Sequence, residues 1–200
     1  MPEDKVRVNP QSVEQYGSTA QQQFDAIRQE LVRLVDDSVQ VDYFGPNAVS
    51  FKTQCGQKAA DFGLQFSRDL GEIANAVRVS TSNIAQALGG RSISISVNGA
   101  PIPLPAVPQG DGSVEMSTAG LTTLVGQVGG HFSAINAALD NHLRSLQATD
   151  WLGNAKDGAV QAVGQFTTRA KNDATNAQQA ISKYINDQIQ AVHSADQVRS

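Results

Sequence analysis

Two short turns, Asp42-Tyr43-Phe44-Gly45 and Asp150-Trp151-Leu152-Gly153, lie 108 residues apart and repeat one another. Each places an aromatic residue two positions before a glycine, and each separates two long stretches with helical periodicity. The chain therefore reads as one helical hairpin written twice. A helix with a single apolar stripe must hide it against a neighbour, and four such helices are satisfied most economically by a bundle. The expected fold class is all-α. Two long helical hairpins form an antiparallel four-helix bundle, joined by a Pro/Gly-rich linker with a short β segment.

The periodicity supports each helix separately. Ser12-x-x-Gln15 reads as a capping box with Pro10 just upstream, and Phe24, Ile27, Leu31, Leu34 and Val35 form the stripe of the first helix. Asp36-Asp37 sit where the helix dipole disfavours anions, so the helix is expected to weaken there. Pro46 suits the first position of the second helix. Phe51, Cys55, Ala59, Phe62, Phe66, Leu70, Ile73 and Val77 follow in steps of three and four, with Ile84 and Leu88 extending the seam to a Gly89-Gly90 stop.

Residues 91–116 break this pattern. Ser92–Val97 alternates with period two, Asn98-Gly99 marks a turn, and four prolines and Gly110-Asp111-Gly112 follow. A short strand or β-ribbon and a proline-rich connector are expected. From about Ser117 to Ala148 a third helix carries Leu121, Leu124, Val128, Phe132, Ile135, Leu139, Leu143 and Leu146. Asn154 is the expected cap of a fourth, whose seam is rich in alanine: Ala155, Ala159, Ala162, Phe166, Ala170, Ala174, Ala177, Ile181, Tyr184 or Ile185, and Val192. The organisation is a first hairpin over 1–90, a linker over 91–116 and a second hairpin over 117–200.

Composition narrows the function. The net charge of −4 is spread evenly, with nine Lys/Arg against eleven Asp/Glu in residues 1–100 and six against eight in 101–200. With no basic stripe, nucleic acid and anionic membranes are not expected partners. Cys55 is the only cysteine, so thiolate zinc sites and intrachain disulfides are excluded, and its place on the seam predicts a buried, inert thiol. The amino terminus lacks a hydrophobic core segment and no run of about 18 apolar residues occurs, so neither a cleaved signal peptide nor membrane insertion is expected. Synthesis in the cytoplasm follows, with any export by a route needing no cleaved signal.

The helix, W-x-G turn, helix pattern resembles the WxG family, the early-secreted-antigen-like substrates of type VII (ESX) secretion. Trp151-Leu152-Gly153 matches the motif literally, and Tyr43-Phe44-Gly45 matches it with Tyr for Trp. Phe51 and Phe166 fit aromatic positions that the family carries after the glycine, one in each repeat, whereas Lys58 and Ala159 stand at the complementary positions. The resemblance covers roughly residues 12–88 and 117–197. It implies a fused pseudo-heterodimer of hairpins acting by protein–protein binding, with Tyr43, Phe44, Gly45, Trp151, Leu152 and Gly153 as turn and partner-binding residues. The family's export signal, Y-x-x-x-D/E, has a variant here: Tyr184 is followed by Asp187 at the third position and Gln188 at the fourth. If they form a signal, Tyr184 and Asp187 should be exposed near the end of the last helix. The implied partners are the secretion-machine ATPase, or a WxG or effector protein that carries the full signal, and a homodimer is open.

No P-loop, HExxH or G-x-S-x-G is present, and His131 and His142 stand about 16 Å apart along a helix, too far to share an ion. Neither catalytic residue, metal nor cofactor is expected, and the chain reads as a non-enzyme. The alternative function is an intracellular adaptor or chaperone-like bundle for a toxin or other partner; a lipid-exchanging bundle is a weaker third.

Overall fold

The computed structural model describes residues 5–90 and 92–197. The first four residues, Arg91 at the start of the linker and the last three residues of the second hairpin lie outside this set. The fold is an all-α four-helix bundle: α1 (Pro10–Gln40), α2 (Pro46–Ala87), α3 (Thr118–Ala148) and α4 (Asn154–Gln197). Four two-residue strands complete the order, β1 (Arg7–Val8), β2 (Tyr43–Phe44), β3 (Glu115–Met116) and β4 (Trp151–Leu152). Among the described residues, no helix is long and apolar enough to cross a membrane.

The chain divides into two compact units, and each draws a segment from every helix. The first comprises Met1–Arg28, Gln65–Ala100 and Ile135–Asn172; the second comprises Gln29–Leu64, Pro101–Ala134 and Asp173–Ser200. In the first unit Val13, Tyr16, Ala20, Phe24 and Ile27 of α1 are buried with Leu70, Ala74 and Val77 of α2, Ile135, Leu139 and Leu146 of α3, and Val163, Phe166 and Ala170 of α4. The second unit buries Leu31, Leu34 and Val35 with Phe51, Cys55, Ala59, Leu121, Leu124, Phe132, Ile181 and Ile185. Burial pushes the Cys55 thiol up to about 11, which keeps it protonated.

Several sequence expectations need correction at their edges. The cap of α1 is Asn9, whose Oδ1 accepts the Gln11 and Ser12 amides at 3.1 and 3.3 Å; Pro10 is the first helical residue, and Ser12 is not the cap. Helix α1 does not weaken at Asp36-Asp37 but runs to Gln40. His131 of α3 bonds Asp37 through Nε2 at 2.8 Å and Glu30 through Nδ1 at 2.7 Å, and Val39 is fully buried beyond them. A specific partner on a neighbouring helix outweighs a dipole term of less than about 1 kcal/mol. Leu88 is 54% exposed and lies past the end of α2, which closes as predicted at Gly89, at φ +80°, with the Gly90 amide on the Ala85 carbonyl. On α4, Ala162 is exposed and Val163 takes its place in the core.

The linker differs most. Ser92–Gly99 forms no ladder although its alternation is real: Ile93 and Ile95 are buried while Ser92, Ser94 and Ser96 are exposed. It is extended chain laid on α1 rather than a β-ribbon, and among the described linker residues only Glu115–Met116 lie in a strand.

Candidate functional site

Both W-x-G-like turns are built in the same way, each as an aromatic held in a two-residue ladder with the segment ahead of the other hairpin. In the first unit β1 pairs antiparallel with β4, Arg7 opposite Leu152 and Val8 opposite Trp151. In the second unit β2 pairs antiparallel with β3, Tyr43 opposite Met116 and Phe44 opposite Glu115. The bonds around the ladders correspond one to one. The Asn9 amide donates to the Asp150 carbonyl at 2.9 Å, as the Ser117 amide donates to the Asp42 carbonyl at 3.1 Å. The Trp151 amide turns back onto Thr149 at 2.8 Å, as the Tyr43 amide turns back onto Val41 at 2.8 Å. Each helix after the turn then starts on the glycine. The Val49 amide donates to the Gly45 carbonyl at 3.2 Å, as the Asp157 amide donates to the Gly153 carbonyl at 3.3 Å. Gly45 and Gly153 hold φ of +114° and +129°, a region that side chains strongly disfavour, which explains the third residue of the motif. Gly153 thereby displaces Asn154 from the expected cap position.

Side chains make the two clasps differ. In the first, Arg7 forms an ion pair with Asp150, Asn9 Nδ2 reaches the same carboxylate at 3.4 Å, and the Asp150 amide donates to Ser12 Oγ at 2.8 Å. Lys156 donates to the carbonyls of Gln147 and Thr149 at 2.9 and 2.7 Å, satisfying the open end of α3. Trp151 is 1% exposed, and its buried indole N–H has no acceptor among the described residues. Leu152 points the other way and is 49% exposed, beside Val6 at 51%. Together with Lys5, Ile84 and the start of α4 they line a recess of about 480 Å³.

In the second clasp Tyr43 is buried and its hydroxyl accepts a 2.9 Å bond from Gln188 Nε2; burial raises its phenol above the usual range. Phe44 lies under the Lys52 ammonium, 4.8 Å from the ring centroid. Lys52 is 1% exposed and its Nζ has no hydrogen-bond acceptor among the described residues; burial lowers its affinity for the proton, against the attraction of Asp42. A second recess of about 270 Å³ lies between Tyr43–Val49 and Pro108–Ser113.

Tyr184 is not exposed as its role in a signal would require. Its ring stacks on Phe51 at 5.3 Å with planes 4° apart, Lys58 Nζ sits 5.4 Å from its centroid, and its hydroxyl donates to Gln54 Oε1 at 3.2 Å. The half-buried ring belongs to the second unit because position 184 follows Ile181 by three residues and so flanks the core stripe of α4. Asp187 is exposed and pairs with Lys183 at 2.6 Å, one turn earlier.

Sequence reasoning missed the arms of the clasps, residues 7–8 and 115–116, and a buried pair in the first unit. Tyr16 Oη lies 2.8 Å from His142 Nε2, with Phe24 packed on the imidazole at 4.8 Å between centroids. Burial takes His142 down to about 4, so the ring is neutral, and its Nδ1 has no partner among the described residues. Among the described residues, no group of three or more His, Cys, Asp or Glu could hold a metal ion. No family model, curated protein or solved structure matches this chain.

Proposed function

We propose that the chain is a non-enzymatic type VII (ESX) secretion-type protein, a pseudo-heterodimer of WxG hairpins fused into one polypeptide and acting by protein–protein binding. The observation that carries this is the reciprocal clasp. Each W-x-G-like turn closes on the segment ahead of the other hairpin's first helix, so the two hairpins complete one another as separate partners would. Covalent fusion keeps the partner at high effective concentration and removes the cost of association. The exposed Leu152 and Val6 beside the Trp151 turn supply an apolar surface for the secretion-machine ATPase or for an effector protein.

Export is the test. A tagged chain, produced at equal level in a host with an intact ESX system and in the same host lacking its ATPase, should reach the culture filtrate only in the first. Equal amounts in both filtrates, or none in either, overturn the proposal. The packing of Tyr184 against Phe51 favours a second reading, an adaptor that stays with its partner inside the cell. Retention in the cell pellet together with co-purification of a defined toxin or effector would support that reading.

A further inference from the structure

The connector after α2 is bound to hairpin one as a peptide would be, rather than simply bridging to hairpin two. Within the first unit, Ile93 and Ile95 are 6% and 7% exposed. Gly17 on α1 makes room for the first of them: a Cβ there would stand 3.2 Å from Ile93 Cβ. Two side chains of α1 then hold the connector's backbone. Gln21 Oε1 accepts the Ser96 amide at 2.9 Å, and Arg28 Nη1 donates to the Asn98 and Ala100 carbonyls at 3.1 and 2.9 Å. These contacts recognise extended main chain, with aliphatic side chains two residues apart filling the seats between. No ladder adds to them, so the connector is held by few polar bonds and two apolar anchors.

We infer that the face of α1 formed by Gly17, Gln21 and Arg28 is a recognition surface for an extended partner segment of the type Ile-x-Ile-polar, occupied in the free protein by the chain's own residues 93–100. The seated connector defines the partner's chemistry: branched aliphatics two apart, an amide N–H directly after the second, and free carbonyls two and four residues beyond that amide. A segment supplied in trans must displace the connector, whose tethering makes it the stronger competitor until it is released. This inference is independent of the secretion reading.

The probe is a fluorescently labelled peptide with the sequence of residues 92–100. The full-length variant Ile93→Asp/Ile95→Asp releases the connector and leaves the α1 face intact. It should bind the peptide saturably by fluorescence anisotropy, whereas the unmodified protein should bind at least about tenfold more weakly. Adding Gly17→Leu or Arg28→Ala to the released variant should weaken binding by a similar factor, the first by filling the Ile93 seat and the second by removing both carbonyl contacts. Absence of saturable binding to a released variant that keeps its helical circular dichroism overturns the inference, as does binding indifferent to Gly17→Leu. If the aspartates prevent folding, Ile93→Ser/Ile95→Ser is judged by the same criteria.

Discussion

Val8 and Trp151 face each other as antiparallel partners, so the strand ahead of the first helix pairs with the strand that carries the buried indole of the second hairpin's turn. The pairing ties the two ends of the sequence repeat together within the first unit. It makes the indole a sensor of whether the hairpins are joined, because Trp151 is the only tryptophan. Its emission should be blue-shifted in the native protein and move to the red as the clasp opens.

Trp151→Ala should destabilise the protein by about 3–5 kcal/mol, the usual cost of emptying a buried aromatic site. For a chain of this length that lowers Tm by roughly 2–4 °C per kcal/mol. Trp151→Phe should cost about 1–2 kcal/mol, because the ring that remains fills most of the site and the buried indole N–H already lacks an acceptor. Calorimetry on both variants checks this; equal losses would place the indole outside the core.

His142 makes stability depend on pH. Its folded pKa of about 4 lies below the ordinary 6.5, so the unfolded chain binds the proton more readily than the folded one. The contribution is complete above pH 6.5 and is lost as pH falls from 6.5 towards 4, at about 1.4 kcal/mol per unit, or ~3 kcal/mol in all. Urea midpoints of the native protein should fall through this window more steeply than those of His142→Phe. Parallel profiles would remove His142 as the cause.

Tyr184→Ala should cost about 1–2 kcal/mol, since it removes a stacked pair with Phe51 and leaves Gln54 without the hydroxyl. Asp187→Asn should stay within about 0.5 kcal/mol, as exposed i,i+4 pairs contribute little. Chemical unfolding of the two variants separates a packing residue from a surface one. Loss of export by Asp187→Asn without loss of stability would leave recognition as its only role.

Lys52→Met should leave stability unchanged or raise it by up to about 2 kcal/mol. The ammonium is buried with no acceptor, and its contact with the Phe44 ring recovers only part of the lost hydration. A midpoint shift to lower denaturant by more than ~1 kcal/mol would show that the cation is a net stabiliser.

Much of the architecture was legible because helical seams are local. Leu121, Leu124, Val128, Phe132 and Ile135 are all fully buried, as their three- and four-residue steps require. Local steps are less decisive at the margins of a stripe. Phe62 and Ile73 are only half-buried, while Gly63 and Ala74, one residue on, are buried in their place. The clasp arms were visible in principle, because the spacing of 108 that relates the two turns also relates Arg7 to Glu115, Val8 to Met116 and Asn9 to Ser117. Two-residue strands are too short to show alternation, so periodicity alone passes over them.

The sequence by itself determined four helices, the turns that separate them and the glycine each turn needs, since these follow from side-chain period and backbone sterics within a few residues. Tertiary structure alone decided what each feature meets. Asp37 continues a helix because His131 lies across from it, Tyr184 is packed because Phe51 is there, and residues 93–100 lie on α1 without a ladder because Gly17, Gln21 and Arg28 offer them a seat. Each of these depends on residues tens to more than a hundred positions away, and no local propensity encodes which of them will arrive.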